Sequence, residues 1–237
     1  MNLFKKLRHS IKVILYWCGI GKFVNGYWKK VKSRRQQARL QNSWGKIVGL
    51  VHESLSKNGI SYCADFGTLL GIIRDNGPIK HDEDIDFTVS SGVDVRKLIT
   101  TLVDAGFKFY RGFKYDGMLT ELTFTYEEVN FDFFFQFIGE DGVSYYFDYI
   151  PQFDYTESKI LSWMARKVRK PAFGKFITRN VSGVQVAIPE NYDEVLRIYY
   201  GSWRIPDPSW NYETGVDTRR RMVLPHIGEP VSIEKCY

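Results

Sequence analysis

Cysteine is scarce in this 237-residue chain. Cys18, Cys63 and Cys236 stand far apart, odd in number, and no CxxC occurs. That excludes a disulfide framework and a thiolate zinc site, and favours a reducing compartment. Histidine is as sparse, with four residues in no HExxH or other metal spacing. Long apolar runs are missing too. IKVILYWCGIG near the N-terminus is interrupted by Lys12, lacks the small-residue cleavage site of a signal peptide, and falls short of the roughly 20 apolar residues that span a bilayer. Internal repeats and low-complexity segments are absent as well.

One charge sign is missing from a whole segment. Residues 1–40 hold eleven Lys or Arg and no Asp or Glu, while the chain as a whole carries +6. The remainder has 22 basic against 27 acidic residues, a net −5. The basicity belongs to one arm, residues 1–41, whose Leu3, Phe4, Leu7, Ile11, Val13, Ile14, Leu15 and Trp17 roughly follow helical spacing among cations. A basic amphipathic helix on an anionic membrane surface fits this pattern, and so does an ordinary packing helix with a solvated face. With no RNA-binding motif and an acidic remainder, nucleic acid is not expected as a partner.

What is present is 44% apolar and 16% aromatic, the make-up of an ordered domain, expected over residues 42–237. Trp44, Ile47, Val48, Val51 and Leu55 predict a helix ending at Asn58-Gly59. ISYCADF reads as a strand, GTLLGIIRDNG as a turn into a short helix, DIDFTVS as a strand, VDVRKLITTLVDAG as a helix, and FKFYRGF and VSYYFDYI as strands. LTELTFTYEEVNFDFFFQF holds two strands or one bent hairpin, and PENYDEVLRIYYG a helix with Pro in its first turn. Strands and helices interleaved at uneven spacing predict an α+β domain with a mixed sheet flanked by helices.

The segment HDEDIDF puts Asp82, Glu83, Asp84 and Asp86 within five positions. Like charges this close repel unless a cation sits among them. On a strand, Asp84 and Asp86 share one face about 7 Å apart, while Ile85 and Phe87 face the core. FDFFFQF carries Asp132 as its single charge, expensive among phenylalanines unless a metal or cation pairs with it, although an edge-strand charge against aggregation has the same appearance. Asp84, Asp86 and Asp132 are therefore the candidate metal ligands, for Mg²⁺ or Mn²⁺. Gly67 and Thr68 at a helix start can offer N–H groups and a hydroxyl to a phosphate, and Arg74 and Lys80 can add charge-assisted contacts. The basic clusters Arg166, Lys167, Arg169, Lys170 and Arg219, Arg220, Arg221 can hold an anionic substrate or lie as solvated surface.

Gly67-Thr68, Asp84-x-Asp86 and the later lone Asp132 together resemble the nucleotidyltransferase superfamily. More narrowly, DFGTLLGIIRDNGPIKHDEDIDF resembles the signature of the LicD and fukutin family, and IPENYDEVLRIYYGSWRIPDP its second signature, so the likeness runs over roughly residues 44–210. Lys80-His81 replaces the Pro-Trp usual before the acidic run. The resemblance implies a metal-dependent phosphotransferase. It would move phosphocholine or a phospho-alditol from a CDP-linked donor to a hydroxyl of a cell-surface glycan or lipid-linked oligosaccharide, releasing CMP. Asp84, Asp86 and Asp132 would be the catalytic and metal-binding residues, Asp82 and Glu83 an outer shell, and Tyr200, Gly201 and Trp203 would position the acceptor or pack a lid. Such an enzyme would work in the cytoplasm, peripheral on the inner face of the cell membrane. Nucleotidyl transfer from an NTP to a small molecule or RNA, and an inactive glycan-assembly scaffold, remain the alternatives.

Overall fold

The computed structural model describes residues 21–154, 159–215 and 220–237. Residues 1–20 of the basic arm, with the apolar positions Leu3 to Trp17 and Cys18, and Arg219 lie outside the described residues.

A 37-residue helix, α1 (Gly21–Lys57), crosses position 41 without a break. It buries Leu40, Trp44, Ile47, Val48, Val51 and Leu55, a stripe at helical spacing along its C-terminal half. Asn58-Gly59 ends it, with Gly59 at φ 64°. A short strand β1 (Tyr62–Ala64) leads into α2 (Phe66–Leu70) and one wide π-helical turn, Gly71–Asp75. Asn76 at φ 52° closes that turn. A Cβ on Gly71 would stand 2.5 Å from the carbonyl oxygen of Gly77, so the turn folds back too tightly for any side chain there.

The rest of the sequence alternates as expected through β2 (Asp84–Ser90), α3 (Val95–Asp104), β3 (Lys108–Tyr115), β4 (Met118–Tyr126), β5 (Val129–Ile138) and β6 (Ser144–Asp154). LTELTFTYEEVNFDFFFQF is two strands. Glu127 and Glu128 make the reversal, both left-handed at φ 49° and 64°, as a tight hairpin requires. α1 clamps this turn: Ser43 Oγ donates to Glu127 at 2.8 Å, Lys46 pairs with Glu127, and Arg39 with Glu128.

β7 (Lys159–Arg169), the hairpin β8 (Phe176–Val181) and β9 (Val184–Pro189), β10 (Arg221–Ile227) and β11 (Glu229–Val231) were not anticipated. α4 (Tyr192–Tyr200) follows Asn191, so Pro189 ends β9 rather than opening the helix; Gly201 terminates it at φ 63°.

The result is a mixed α+β fold around a nine-stranded sheet, ordered β10-β7-β6-β5-β4-β3-β11, with β2 and then β1 branching from β5. β2 runs parallel to β5; the other described pairings are antiparallel. One face presents Ile85, Phe87 and Val89 beside Phe131, Phe133, Phe135, Leu122 and Phe124, all buried, in one core with α1 and with Leu98, Ile99 and Leu102 of α3. Because side chains alternate, the polar residues of β2 and β5 project from the opposite face.

Candidate active site

Register decides the site. Asp86 on β2 is directly opposite Asp132 on β5, and Asp84 is one step along the same face. Carboxylate oxygens of Asp84, Asp86 and Asp132 lie within 4.8 Å of one another. Asp84 stands exposed at the start of its strand, while Asp86 and Asp132 are half-buried. Burial first, then the charges of Asp84 and Asp132, pushes Asp86 well above the usual carboxylate range. Burial and the nearby Asp84 raise Asp132 to about 7. Three acids therefore meet where their own charge is disfavoured.

The turn before the acidic run holds Asp86 by its main chain. The N–H of Asp86 donates to Thr68 Oγ at 2.9 Å, and its carbonyl accepts from the N–H of Asp65 at 3.0 Å. Thr68 is buried, and its oxygen accepts from the main chain while its hydroxyl hydrogen is not used in that bond. Gly67 faces the cleft; a Cβ there would meet Asp82 Oδ2 at 3.0 Å. Asp82, squeezed in this way, is raised to about 7 by burial and by the charge of Asp84. Glu83 is turned away and accepts from Ser33 Oγ on α1.

Asp65 was not anticipated as part of the site. It caps α2 by accepting from the N–H of Phe66, and it receives Lys170 Nζ at 2.6 Å and Thr88 Oγ at 2.7 Å. Phe66 sits left-handed at φ 43°, an unfavourable place for an aromatic residue. Rings of Tyr199, Phe134 and Tyr146, 5.0–5.3 Å away, hold it there.

These aromatics continue into a cleft of about 380 Å³ lined by Phe66, Gly67, Asp84, Asp86, Phe134, Tyr146, Asp148, Val168, Tyr199, Tyr200, Trp210, Tyr212 and Arg220. Among the described residues Arg220 bonds main-chain oxygens, those of Arg169 and Ile198. Tyr200 is thus at the cleft, while Trp203 is buried as packing. The two basic clusters do not act as patches. Arg166 is buried and bidentate to Asp148 at 2.8 and 2.7 Å, with Glu213 on its other edge. Lys167 lies on the ring of Tyr145, Arg169 pairs with Asp141, and Arg221 pairs with Glu213. Arg74 is paired with Asp75 and Lys80 is exposed; neither lines the cleft.

The donor set suits a divalent cation. Asp132 Oδ1 is buried with no hydrogen-bond partner, a state that a bound cation would relieve. Three carboxylate oxygens are the hard ligands of Mg²⁺ or Mn²⁺, and three leave positions for substrate phosphates.

No curated protein matches the chain. A solved structure, the lincosamide antibiotic adenylyltransferase LnuA with lincomycin bound, is 16% identical over 61% of this chain and 78% of that one, with a TM-score of 0.36, too slight a likeness to place the fold. The model of the LicD/FKTN/FKRP nucleotidyltransferase domain matches residues 59–191, from just before β1 through the acidic run and Asp132 to the start of α4. That is more than half of the chain, and the protein belongs to the LicD/FKTN/FKRP family.

Proposed function

We propose that the protein is a metal-dependent phosphotransferase. It moves a phospho-group, phosphocholine or a phospho-alditol, from a CDP-linked donor to a hydroxyl of a cell-surface glycan or lipid-linked oligosaccharide, and CMP leaves. Membership of the family suggests a transferase acting on glycans. The observation that carries the finer reading is the convergence of Asp84, Asp86 and Asp132 around an unsatisfied Asp132 Oδ1. The catalytic core in this reading is a nucleotidyltransferase-like unit: β1, the Gly67-Thr68 turn, β2 with its two acids and β5 with the third.

Asp84, Asp86 and Asp132 would hold Mg²⁺ or Mn²⁺. When bound, the ion neutralises the diphosphate and so lowers the barrier to phosphoryl transfer. The chain's own residues do the rest. Asp132, through a carboxylate oxygen that does not hold the ion, would accept the proton of the acceptor hydroxyl. Thr68 and Asp65 fix Asp86 through its backbone, and the Gly67 turn lies open to the phosphates. The aromatic walls of the cleft exclude water and offer flat faces to a base or sugar ring. Arg74 and Lys80 stand outside the cleft, and a contact with the donor would have to form as it binds.

Residues 42–237 form the catalytic part in this proposal, and residues 1–41 attach it to anionic lipid on the cytoplasmic face of the membrane. Among the described residues no helix is long and apolar enough to cross a membrane. The deciding experiment is a screen of CDP-linked donors for CMP release, with purified surface glycan as acceptor, run with Mg²⁺, with Mn²⁺ and with EDTA. Release that needs both metal and acceptor is expected. Release from no CDP-linked donor, or release unaffected by EDTA, would overturn the reading.

A further inference from the structure

One cation on the acidic face of the sheet, Arg111, forms no ion pair among the described residues. The registers of β3, β4, β5 and β2 set Arg111, Thr123, Asp132 and Asp86 in a single row. Phe113, Glu121, Phe134 and Thr88 make the next row. Residues directly opposite across strands share a face, so Arg111 projects from the same side as the aspartates.

The guanidinium of Arg111 is held by rings alone. Its centre lies 4.8 Å from the ring centre of Phe113, 5.1 Å from that of Trp163 and 5.6 Å from that of Tyr110. Its Nε is buried with no hydrogen-bond partner, and among the described residues it forms no ion pair. Arg74 and Arg166 differ: each grips a carboxylate with two nitrogens. An unpaired buried donor on a charged group costs stability, so a planar fork fixed by stacking and left unused is a binding element awaiting its anion. Glu121 and Asp132 share the face of Arg111, and neither bonds to it among the described residues.

Two strand spacings separate Arg111 from Asp132, about 10 Å at roughly 4.8 Å each. A long guanidinium side chain and a phosphate seated at the aspartates can bridge that gap. Arg111 and Thr123 are not among the residues lining the aromatic cleft, so this end of the row is a different part of the site. We propose that Arg111 recognises a phosphate oxyanion of the substrate assembled at Asp84, Asp86 and Asp132, outside the aromatic cleft. The proposal rests on the phosphotransferase reading of those aspartates. The oxyanion belongs either to the donor's diphosphate or to a phosphorylated acceptor.

Calorimetry on the full chain separates these sources. The wild type and Arg111→Gln are titrated with Mn²⁺, then with CDP, then with inorganic phosphate added to the CDP complex, and separately with cytidine. Arg111→Gln should bind Mn²⁺ at least as tightly as the wild type, because a cation near the site has been removed. A tenfold or greater loss for CDP assigns the donor's phosphates to Arg111. Unchanged CDP with a tenfold loss for inorganic phosphate assigns the acceptor's. Arg111→Lys should recover part of either loss, keeping the charge without the fork. Unchanged affinity for both anions overturns the proposal, as does an equal loss for uncharged cytidine, which marks a packing role. If Arg111→Gln fails to fold, phenylglyoxal labelling of the wild type decides: CDP or phosphate must protect Arg111, and no protection overturns it. A wild type that binds neither Mn²⁺ nor CDP overturns the transfer reading and this proposal with it.

Discussion

Lys170 Nζ lies 2.6 Å from Asp65 Oδ2, and both side chains are wholly excluded from solvent. Thr88 completes the group, donating to Asp65 and receiving from Lys170 at 3.1 Å. Asp65 also caps α2, so this pair fixes the turn that clamps Asp86. Removing one partner strands a buried charge. Lys170→Met should therefore cost about 3–5 kcal/mol in denaturant unfolding, and Asp65→Asn in the same chain should restore part of it. Lys170→Met that matches the wild type in stability would show that the pair is not a buried ion pair in solution.

Asp84→Asn and Asp86→Asn should each abolish transfer while leaving the fold intact. Losing a metal ligand removes several kcal/mol of transition-state stabilisation. In the metal-free protein each change relieves repulsion, so melting temperatures in EDTA should hold or rise. Activity above about a tenth of wild type in either variant would remove that residue from the ligand set.

The raised carboxyls give the metal-free protein a definite pH dependence. Asp132 and Asp82 titrate near 7 in the folded state, and near the ordinary value of about 4 when unfolded. Between those limits the folded state keeps protons that the unfolded state has lost, so stability falls as pH rises from about 4 to about 7 and then levels off. Thermal unfolding in EDTA should follow this slope, and Asp132→Asn or saturating Mn²⁺ should flatten it. Stability that climbs across the same window would contradict the crowding of acids at this site.

Shortening the N-terminus should separate attachment from folding. A protein beginning at Lys30 loses six cations of the arm, each contributing about 1 kcal/mol where it lies near anionic lipid. It should keep its melting temperature and lose affinity for anionic vesicles. A protein beginning at Gln41 also loses buried Leu40, the Arg39–Glu128 pair and the Ser33–Glu83 bond, and should melt lower. Vesicle binding that survives both truncations would end the membrane proposal.

The cluster of three carboxylates was legible because period-two alternation in DIDFTVS and FDFFFQF separates acids from a phenylalanine face without any tertiary information. The parallel pairing that brings the two strands together was not, since register between distant strands leaves no local mark. β7 was hidden by its cations. KILSWMARKVR reads as solvated surface, yet Arg166 is turned inward onto Asp148, and Lys170, the next residue, is buried against Asp65, 105 positions away. The cleft was equally hard to foresee: its walls come from YYFDY, IYYG and WNY, three aromatic groups far apart in the chain, each of which alone looks like core. Arg74 and Lys80 lie near the acidic run in sequence, but Arg74 is paired with Asp75, Lys80 is exposed, and neither lines the cleft.

The parallel pairing of β2 with β5 also bears on how the site comes into being. Asp84 and Asp86 are separated from Asp132 by a crossover that contains α3, β3 and β4. Closing so long a connection is slow compared with forming the β3–β4 and β4–β5 hairpins, which need only neighbouring chain. On this ground the third acid should already stand on the β3–β4–β5 meander when β2 docks beside it. No cluster of three exists for a cation to seize until that last, most distant contact is made. A divalent ion bound at this centre would then not nucleate the fold; it would act as a latch, slowing unfolding while leaving the rate of folding to topology.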